Sequence, residues 1–435
     1  MAEFQPLALL VDDEPGILQT LSGVLADQGY RILATRSGNE ALDLYRRERP
    51  EVVFLDVWLP DRDGLETLQA LRELDAHATV VMMSGHGTSA TAVKAIKMGA
   101  FDYLEKPLAY QQAVDAAEAA LRHRRAQGEG VLVPTPEARL PTEHRLEPRP
   151  RLSLLRTGEE PQRTIRHSTV IYGLGLHSGG RTGMVIQPLP PDSGVHVLSL
   201  PTHTLIPAHV GAVEDTEYAT TLGRGGVRVK TVEHFLSALH ACGVTNLLIK
   251  VHGEIPVLDG SAADFCRTLE QIGIEEQGVP RQEIVIDRRY EVGSGDKVLA
   301  IEPADGDGSF SVSYLLRYPP PIGEQRYEFR LSDFEAYKRD IAPARTFGFM
   351  RDLKMMAELG LGSGGRLDNF ILVGEDEVLN TELRFPDEFV RHKILDIIGD
   401  LYLVGYPIRG KVTARLTGHR DNIALLRQIV EATPA

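Results

Sequence analysis

The chain has 435 residues, enough for two or three domains, and its formal net charge of −14 argues against a protein that binds nucleic acid through a broad basic surface. Its two cysteines, Cys242 and Cys266, lie outside any Cys-x-x-Cys pair. This excludes a disulfide framework and a cysteine zinc site, and it indicates a reducing compartment.

We expect a cytoplasmic protein. The first ten residues lack the charged segment and the long apolar core of a secretory signal. No stretch reaches the roughly 20 apolar residues that span a bilayer, so we expect no transmembrane segment and only peripheral membrane contact.

Short apolar runs alternate with amphipathic stretches over residues 1–122, which we predict to be one domain. Alternating strands and helices are typical of a doubly wound α/β fold, here with a five-stranded parallel sheet. The predicted strands include LALLV, VVFLD and TVVMMS, and the predicted helices include Ile17–Gln28 and Ser89–Met98.

Polar side chains stand where these strands end. Asp12 and Asp13 follow the first strand, Asp56 ends the third, and Ser84 and Lys106 lie at the ends of the fourth and fifth. Functional groups of a doubly wound sheet gather beyond the carboxyl ends of its strands. The three carboxylates would repel one another unless a hard cation such as Mg²⁺ joined them. The hydroxyl and the ammonium group would suit a phosphoryl group on Asp56.

These residues resemble the receiver domain of two-component response regulators, which has a flavodoxin-like fold. The matching segments are VDDEP, FLDVWLPDRDG, MSGHG and GAFDYLEKP. The resemblance implies that Asp56 is the phosphoacceptor and that a histidine kinase is the phosphoryl donor. It also implies that Asp13, Asp56 and the backbone carbonyl of Trp58 bind Mg²⁺, with Asp12 helping through water.

The same resemblance assigns three further residues of the pocket. Ser84 and Lys106 would contact the phosphoryl oxygens, and Tyr103 would be the aromatic residue whose rotamer changes on activation. The usual DNA-binding output of response regulators is missing, because no helix-turn-helix pattern follows this domain.

Residues 123–162 are rich in Pro, Arg and Glu and have almost no apolar periodicity. This composition predicts an extended, flexible linker. Its arginines are explained either as solvated charges or as a docking segment for an acidic partner or a membrane surface.

From residue 163 onwards, strand patterns and helix patterns mix without regular βαβ alternation, which predicts an α+β fold with helices packed against sheets. We predict two subdomains, residues 163–282 and 283–435. The strand patterns include TGMVIQPL, NLLIKVHG and EIVIDRRYEV, and the helix patterns are TVEHFLSALHACG, RLSDFEAYKRDI and EFVRHKILDIIGDLYLVG.

Two of these helices carry candidate zinc ligands. His392 and Asp396 are four residues apart on one helix face, and Asp400 continues the same stripe. A surface ion pair would show the same spacing. His234 could be the third ligand of a site with one open position, while its neighbour Glu233 faces the metal-bound water. The alternatives are a buried structural histidine for His234 and a carboxylate favoured by the helix dipole for Glu233.

A third histidine, His419, lies in a Gly-flanked loop, LTGHRDN. A loop histidine can donate a proton to a leaving group, although an ordinary exposed histidine has the same pattern. Because these candidates come from both predicted subdomains, a shared site would lie in a cleft between them.

Residues 163–430 resemble the UDP-3-O-acyl-N-acetylglucosamine deacetylases, which commit Gram-negative bacteria to lipid A biosynthesis. The resemblance implies hydrolysis of the N-acetyl group of a UDP-linked acylated glucosamine, with any membrane contact at the inner membrane. The matching segments, in chain order, are GLGLHSG, TTLGRGGVRVKTVEHFLSAL, EIPVLDGSAADF, ARTFGF, GGRLDN, LRFPDEFVRHKILDIIGDL and TGH.

The family implies that His234, His392 and Asp396 hold zinc and that Glu233 is the general base. His419 would assist, either as general acid or as a cation that stabilises developing charge.

Further roles follow from the same resemblance. Asp400 would orient His419, and Thr346 would donate to the oxyanion. Phe347, Lys393 and His177 would bind the nucleotide-sugar substrate. The stretch Phe349–Gly362 matches an insert that shapes a passage for the acyl chain, and plain helix packing is the alternative for its apolar residues.

We therefore predict a zinc-dependent deacetylase that is regulated by phosphorylation of its receiver domain. Fe²⁺ is the alternative metal, because a His₂Asp site accepts both ions. The alternative function is a two-component signalling adaptor that uses the deacetylase fold as a scaffold. A transcriptional regulator is disfavoured by the acidic charge balance.

Overall fold

In the computed structural model of the chain, the described residues are 5–75, 78–85, 95, 98–106, 108, 110–126, 146, 149, 151–306, 308–358, 360–366 and 369–433. They divide into two compact units, whose main parts are Met1–Arg145 and Ile186–Ala435. The predicted helix Ser89–Met98 lies outside the described residues, apart from residues 95 and 98.

The smaller unit contains a five-stranded, all-parallel sheet in the order β2-β1-β3-β4-β5. The predicted doubly wound fold is therefore confirmed. Strands β1, β3 and β4 are buried along their whole length, which explains why they are continuous apolar runs. The elements are β1 Leu7–Val11, α1 Pro15–Asp27, β2 Arg31–Thr35, α2 Gly38–Glu48, β3 Val52–Asp56, α3 Gly64–Leu74, β4 Val80–Ser84, β5 Asp102–Glu105 and α4 Tyr110–Ala126.

The rest of the chain mixes short sheets with helices, and the predicted α+β fold is confirmed. Its first half contains a five-stranded sheet in the order β10-β9-β14-β8-β7 and a three-stranded sheet in the order β11-β12-β13. Its elements are β6 Leu155–Ile165, β7 Thr169–Leu174, β8 Arg181–Pro188, β9 Val195–Ser199, β10 Thr204–Pro207, β11 Val213–Asp215, β12 Thr221–Arg224, β13 Val227–Val229, α5 Glu233–Cys242, β14 Leu247–Val251, α6 Ala263–Ile272 and β15 Ile274–Val285.

The second half contains a five-stranded sheet in the order β16-β17-β23-β18-β19 and a two-stranded sheet of β20 and β21. A further sheet, in the order β22-β15-β6, joins the two halves. The elements are β16 Tyr290–Ser294, β17 Lys297–Glu302, β18 Phe310–Arg317, β19 Glu324–Leu331, α7 Phe334–Asp340, β20 Phe347–Phe349, α8 Leu353–Glu358, β21 Ile371–Val373, α9 Glu388–Leu401, β22 Ile408–Arg409, β23 Lys411–Arg415 and α10 His419–Ala432.

The structure differs from three predicted boundaries. The predicted linker 123–162 is too long, because α4 continues to Ala126 and β6 begins at Leu155. Only three of the eleven residues of β6 are buried, and the strand pairs with β15 in an antiparallel ribbon. It therefore needs no apolar alternation, and its charged residues gave no strand pattern in the sequence. The predicted subdomain boundary at 282/283 falls inside β15, and the predicted strand EIVIDRRYEV is split between β15 and β16.

Helices α5 and α9 pack closely against each other at a glycine. A Cβ atom on Gly399 would lie 2.0 Å from the backbone oxygen of Glu233, far below any real carbon–oxygen contact. His240, near the end of α5, also bonds through Nδ1 to the carbonyl oxygen of Ile398 at 2.9 Å. The last turn of α9 is therefore held against both the first turn and the end of α5. His234 lies in that first turn, and Asp396 lies one turn before Gly399, so this packing brings together the segments that carry the predicted zinc ligands.

We expect Gly399→Ala to destabilise the larger unit. Overpacking of a tight contact costs roughly 1–3 kcal/mol, which exceeds the gain of about 1 kcal/mol from alanine as a better helix former. The melting temperature of this unit, measured by calorimetry on the full chain, should fall. Gly180→Ala is the control, because its Cβ would meet only Ser178 Oγ at 3.7 Å. Equal melting temperatures for the two variants would contradict the close packing.

Candidate functional sites

Three carboxylates meet at the carboxyl ends of β1 and β3. One oxygen each of Asp12, Asp13 and Asp56 lies within 4.8 Å of the others, and Asp12 and Asp56 are buried. They come together because β1 and β3 are parallel neighbours, so the residues at their ends share one edge of the sheet.

Lys106 reaches this carboxylate cluster. Its Nζ lies 2.7 Å from Asp12 Oδ2 and donates a hydrogen bond of 3.0 Å to Asp56 Oδ2. Burial raises the pKa of Asp12 to about 6; Lys106 opposes this rise and Asp56 adds to it. Burial also raises the pKa of Asp56, again against Lys106. Because Asp56 Oδ1 is buried without a hydrogen-bond partner among the described residues, an oxygen-bound cation such as Mg²⁺ fits here.

The other predicted residues of this pocket lie on, or just after, strands β3, β4 and β5. The backbone of Trp58 lowers the pKa of Asp56 against the effect of burial, while the Trp58 side chain is 64% exposed. Ser84 is buried at the end of β4, and its carbonyl accepts a hydrogen bond of 2.8 Å from the backbone N–H of Lys106. Tyr103 is half-buried, with its hydroxyl enclosed and without a hydrogen-bond partner in the described part of the chain.

A second cluster lies in the larger unit, where α5 meets α9. His234, His392 and Asp396 are all buried, and one ligand atom of each lies within 4.8 Å of the others. Asp396 Oδ1 is 3.4 Å from His392 Nε2 and 3.9 Å from His234 Nε2. The alternative of a surface ion pair for His392 and Asp396 is therefore wrong, because both side chains are enclosed.

The protonation of this cluster suits metal binding. His392 Nδ1 lies 3.0 Å from the carbonyl oxygen of Ala344, which can only accept, so Nδ1 carries the proton and Nε2 keeps its lone pair. Burial lowers the pKa of His234 to about 3 and also lowers that of His392, so both rings are neutral. Burial opposes the charge of Asp396, but Lys393, together with His419, holds its pKa below the usual range.

Unpaired polar atoms remain in the same cluster. His234 Nδ1 and Asp396 Oδ1 are buried without hydrogen-bond partners within the described residues, which is costly in the absence of a ligand. The other oxygen, Asp396 Oδ2, accepts a hydrogen bond of 2.8 Å from Lys393 Nζ. Two neutral imidazoles and one carboxylate form a donor set typical of catalytic zinc, so a divalent transition metal fits this cluster.

Glu233 begins α5 beside the cluster and is buried. Its Oε2 accepts a hydrogen bond of 3.1 Å from the backbone N–H of Thr220. Burial raises the pKa of Glu233 to about 8; His419 opposes this, and the carboxylates of Asp400 and Asp396 add to it. A carboxyl group with a pKa near neutrality can both accept and return a proton.

His419 is held by a buried carboxylate. Its Nδ1 bonds to Asp400 Oδ2 at 2.7 Å, and its Nε2 faces the cluster at 3.9 Å from Asp396 Oδ2. Burial by itself would lower the pKa of His419, but Asp400 and Asp396 raise it to about 9, so the ring is cationic at neutral pH. The predicted loop position is wrong: His419 is the first residue of α10, with Gly418 as its N-cap.

Two of the predicted substrate-binding residues, Phe347 and Lys393, lie beside this centre. The ring centroid of Phe347 lies 6.2 Å from that of His392, and Lys393 Nζ lies 5.8 Å from the centroid of Phe347. The backbone of Thr346 bonds to Gly260 and Ile371, and no contact of its hydroxyl with the cluster is recorded among the described residues.

His177 occupies a buried loop of the larger unit. Its backbone N–H donates to Glu254 Oε1 at 2.8 Å, and both ring nitrogens are buried without hydrogen-bond partners within the described residues. Burial lowers its pKa; Glu254 opposes this, and Lys230 and His419 add to it. The ring is therefore neutral and able to bond a ligand.

Three residues that organise the site were not predicted from the sequence. Thr220 bonds to Glu233 and Asp400, and Asn422 donates from Nδ2 to Asp400 Oδ2 at 2.8 Å. Asn422 could have been found, because it lies three residues after His419 and shares its helix face. The third residue is Glu254, whose carboxylate accepts hydrogen bonds from the backbone N–H groups of His177 and Ser178.

Two protein-family models match the chain. The model of the UDP-3-O-acyl N-acetylglycosamine deacetylases matches residues 162–431, which is more than half of the chain. The model of the response regulator receiver domain matches residues 8–118.

Curated relatives match the deacetylase part of the chain. The UDP-3-O-acyl-N-acetylglucosamine deacetylase of Anaeromyxobacter dehalogenans (strain 2CP-C) is 43% identical over 277 residues, which are 63% of this chain and 88% of the relative. The protein of the same name from Myxococcus xanthus (strain DK1622) is 42% identical over 281 residues, again 63% and 88%.

A solved structure matches the N-terminal part. A response regulator receiver domain protein from Clostridium thermocellum is 30% identical, and the match covers 28% of this chain and 98% of that one with a TM-score of 0.27. The assignment of residues 8–118 as a receiver domain does not depend on this structural match. It rests on the family model and on the strand order of the parallel sheet.

We expect the full chain to bind zinc at the cluster of His234, His392 and Asp396. Removal of one ligand by His392→Ala should weaken binding by at least about 100-fold, more than the 10–100-fold typical of residues that only support a ligand. Zinc content after dialysis, measured by mass spectrometry, reports this directly. His167→Ala, which changes an exposed histidine, is the control and should retain its zinc. A zinc-loaded His392→Ala variant would contradict the assignment.

Proposed function

We propose that this chain, which belongs to the UDP-3-O-acyl N-acetylglycosamine deacetylase family and carries a response regulator receiver domain, hydrolyses the N-acetyl group of UDP-3-O-acyl-N-acetylglucosamine and releases acetate. The names of its curated relatives support the substrate. The observation that carries the proposal is the convergence of three buried ligand side chains, with Glu233 and His419 beside them.

We propose zinc as the metal of this site, held by His234, His392 and Asp396, with Fe²⁺ as the alternative. An amide is unreactive, so hydrolysis needs a nucleophile at neutral pH and stabilisation of an oxyanion. The bound ion would supply both, by lowering the pKa of water towards about 7 and polarising the carbonyl group.

Glu233 is the proposed general base. The backbone N–H of Thr220 holds its Oε2, which leaves Oε1 to accept the proton of the attacking water. The Thr346 hydroxyl is proposed to donate a hydrogen bond to the oxyanion. Collapse of the tetrahedral intermediate breaks the carbon–nitrogen bond, and the departing amine takes one proton.

His419 or Glu233 supplies that proton. Because Asp400 accepts from His419 Nδ1, the His419 Nε2 proton is the one directed towards the reaction centre. The same charge would also stabilise the oxyanion. Both roles require a cationic ring, which is consistent with its raised pKa.

The substrate would lie over aromatic and apolar side chains. Phe347 and Lys393 border the metal cluster, and the unpaired ring nitrogens of His177 are available to bond the sugar or its phosphates. Met350 and Met355, in the predicted acyl-chain insert, are each 47% exposed, which favours ligand contact over core packing.

The receiver domain is proposed to regulate the enzyme. Asp56 would accept a phosphoryl group from a histidine kinase with Mg²⁺ at the carboxylate cluster, and Ser84 and Lys106 would contact its oxygens.

We propose a cytoplasmic location, with contact to the inner membrane limited to its surface. Among the helices of the described residues, none has the length and apolar character to cross a bilayer.

Glu233→Gln should keep zinc and lose most turnover. The amide cannot accept a proton, and general acid–base groups contribute roughly 10²–10⁴-fold to rate. Acetate release and zinc content should be measured on the same preparation, with the exposed Glu335→Gln as control. No acetate release by zinc-loaded wild type would favour the adaptor function, and full activity of Glu233→Gln would remove the proposed base.

Beryllofluoride with Mg²⁺ should change the deacetylase rate of wild type but not of Asp56→Asn. It mimics the phosphoryl group and shifts a receiver between two conformations. Asp43→Asn, which changes an exposed carboxylate, is the control and should respond like wild type. Identical rates and identical oligomeric state with and without beryllofluoride would argue against direct regulation.

A further inference from the structure

We infer that Thr220 is a positioning residue for catalysis, which couples the general base Glu233 to the Asp400–His419 pair. This inference rests on the proposed deacetylase function. Thr220 lies immediately before β12 and is fully buried. Its three polar groups, the backbone N–H, the backbone carbonyl and the side-chain hydroxyl, all bond to residues of the site or of the turn that leads into it.

The main chain of Thr220 fixes the start of α5. Its N–H donates to Glu233 Oε2 at 3.1 Å, and its carbonyl accepts a hydrogen bond of 3.3 Å from the backbone N–H of Val232. Both the carboxylate of the base and the backbone that carries it are therefore tied to this residue. These bonds involve only backbone atoms of Thr220, so they persist when its side chain is changed.

The side chain of Thr220 fixes the opposite side of the reaction centre. Its hydroxyl lies 2.6 Å from Asp400 Oδ1 and donates to it, because an ionised carboxylate only accepts. Asp400 Oδ2 accepts from His419 and from Asn422. Since the two oxygens of a carboxylate are rigidly connected, holding Oδ1 sets the direction of Oδ2 and thus of the imidazole ring.

The hydroxyl of Thr220 is difficult to replace. Asp400 is fully buried, so no bulk water reaches its Oδ1. Loss of the hydroxyl would leave a buried carboxylate oxygen without its donor and allow Asp400 to rotate. His419 would then move relative to Glu233, and small misplacements of catalytic groups can cost about 10²-fold in rate.

The test compares Thr220→Val, which replaces the hydroxyl with a methyl group, with Thr220→Ser, which retains the hydroxyl. We expect Thr220→Val to lower kcat by about 10–100-fold with KM and zinc content near wild type, since Thr220 touches neither substrate nor metal ligand. Thr220→Ser should keep kcat within about 3-fold of wild type, because its hydroxyl can still donate to Asp400. Thr220→Ala serves as the test variant if valine prevents folding.

The control is Thr164→Val. It removes another buried threonine hydroxyl, which bonds to the Asn246 carbonyl at 2.6 Å, and none of its partners belongs to the site. It should lower stability without lowering kcat. In the background of Asp400→Asn, Thr220→Val should reduce kcat by less than about 2-fold, because both changes act on one interaction.

Three outcomes would overturn the inference. The first is an unchanged kcat in Thr220→Val, and the second is a loss of kcat in Thr220→Ser as large as in Thr220→Val. The third is that Thr220→Val lowers kcat as strongly in the Asp400→Asn background as in wild type. If wild type itself releases no acetate, the proposed function fails and the inference falls with it. An active wild type with an equally active Thr220→Val overturns the inference alone.

Discussion

The close contact of α5 with α9 is the constraint on which the larger site depends. Gly399 allows the backbone of α9 to touch the first turn of α5, where a side chain would force the helices apart. His234 then faces His392 with ring centroids 5.0 Å apart and perpendicular planes. The i, i+4 spacing adds Asp396 from the same face of α9. One glycine thus decides whether ligands more than 150 residues apart in the chain can share an ion.

Charge balance is the second requirement of this site. Glu233, Asp396 and Asp400 are buried together, and such carboxylates ionise only with nearby positive charge. Lys393 and His419 supply two such charges, the first at Asp396 and the second between Asp396 and Asp400. A divalent ion at His234 and His392 would balance the remaining negative charge of the buried carboxylates. That ion and the cationic His419 would therefore act together on the same carboxylates.

Sequence reasoning predicted much of the fold and only part of the site. Apolar runs identified the strands of the parallel sheet, and helical spacing identified His392 with Asp396. The residues themselves offered His234 as a candidate third ligand, but only the family resemblance implied that it joins His392 and Asp396, because no local pattern encodes a contact so distant in sequence. Thr220 was missed because its partners Glu233 and Asp400 are 13 and 180 residues away in the chain. Strand β6 was missed because a ribbon strand with few buried residues needs no apolar face.

The two clusters of candidate ligands offer different donor atoms and therefore suit different ions. Asp12, Asp13 and Asp56 offer only oxygen atoms, the ligands of a hard cation that retains water, as phosphoryl transfer to a carboxylate requires. His234, His392 and Asp396 offer two nitrogens and one oxygen, which favour a softer ion that polarises a carbonyl group. Each set comes from a single compact unit, with its own lysine as a counter-charge. The two clusters share no residue. The proposed effect of phosphorylation on deacetylation would therefore act through a conformational change, a change of oligomeric state or a partner, and not through a shared ligand.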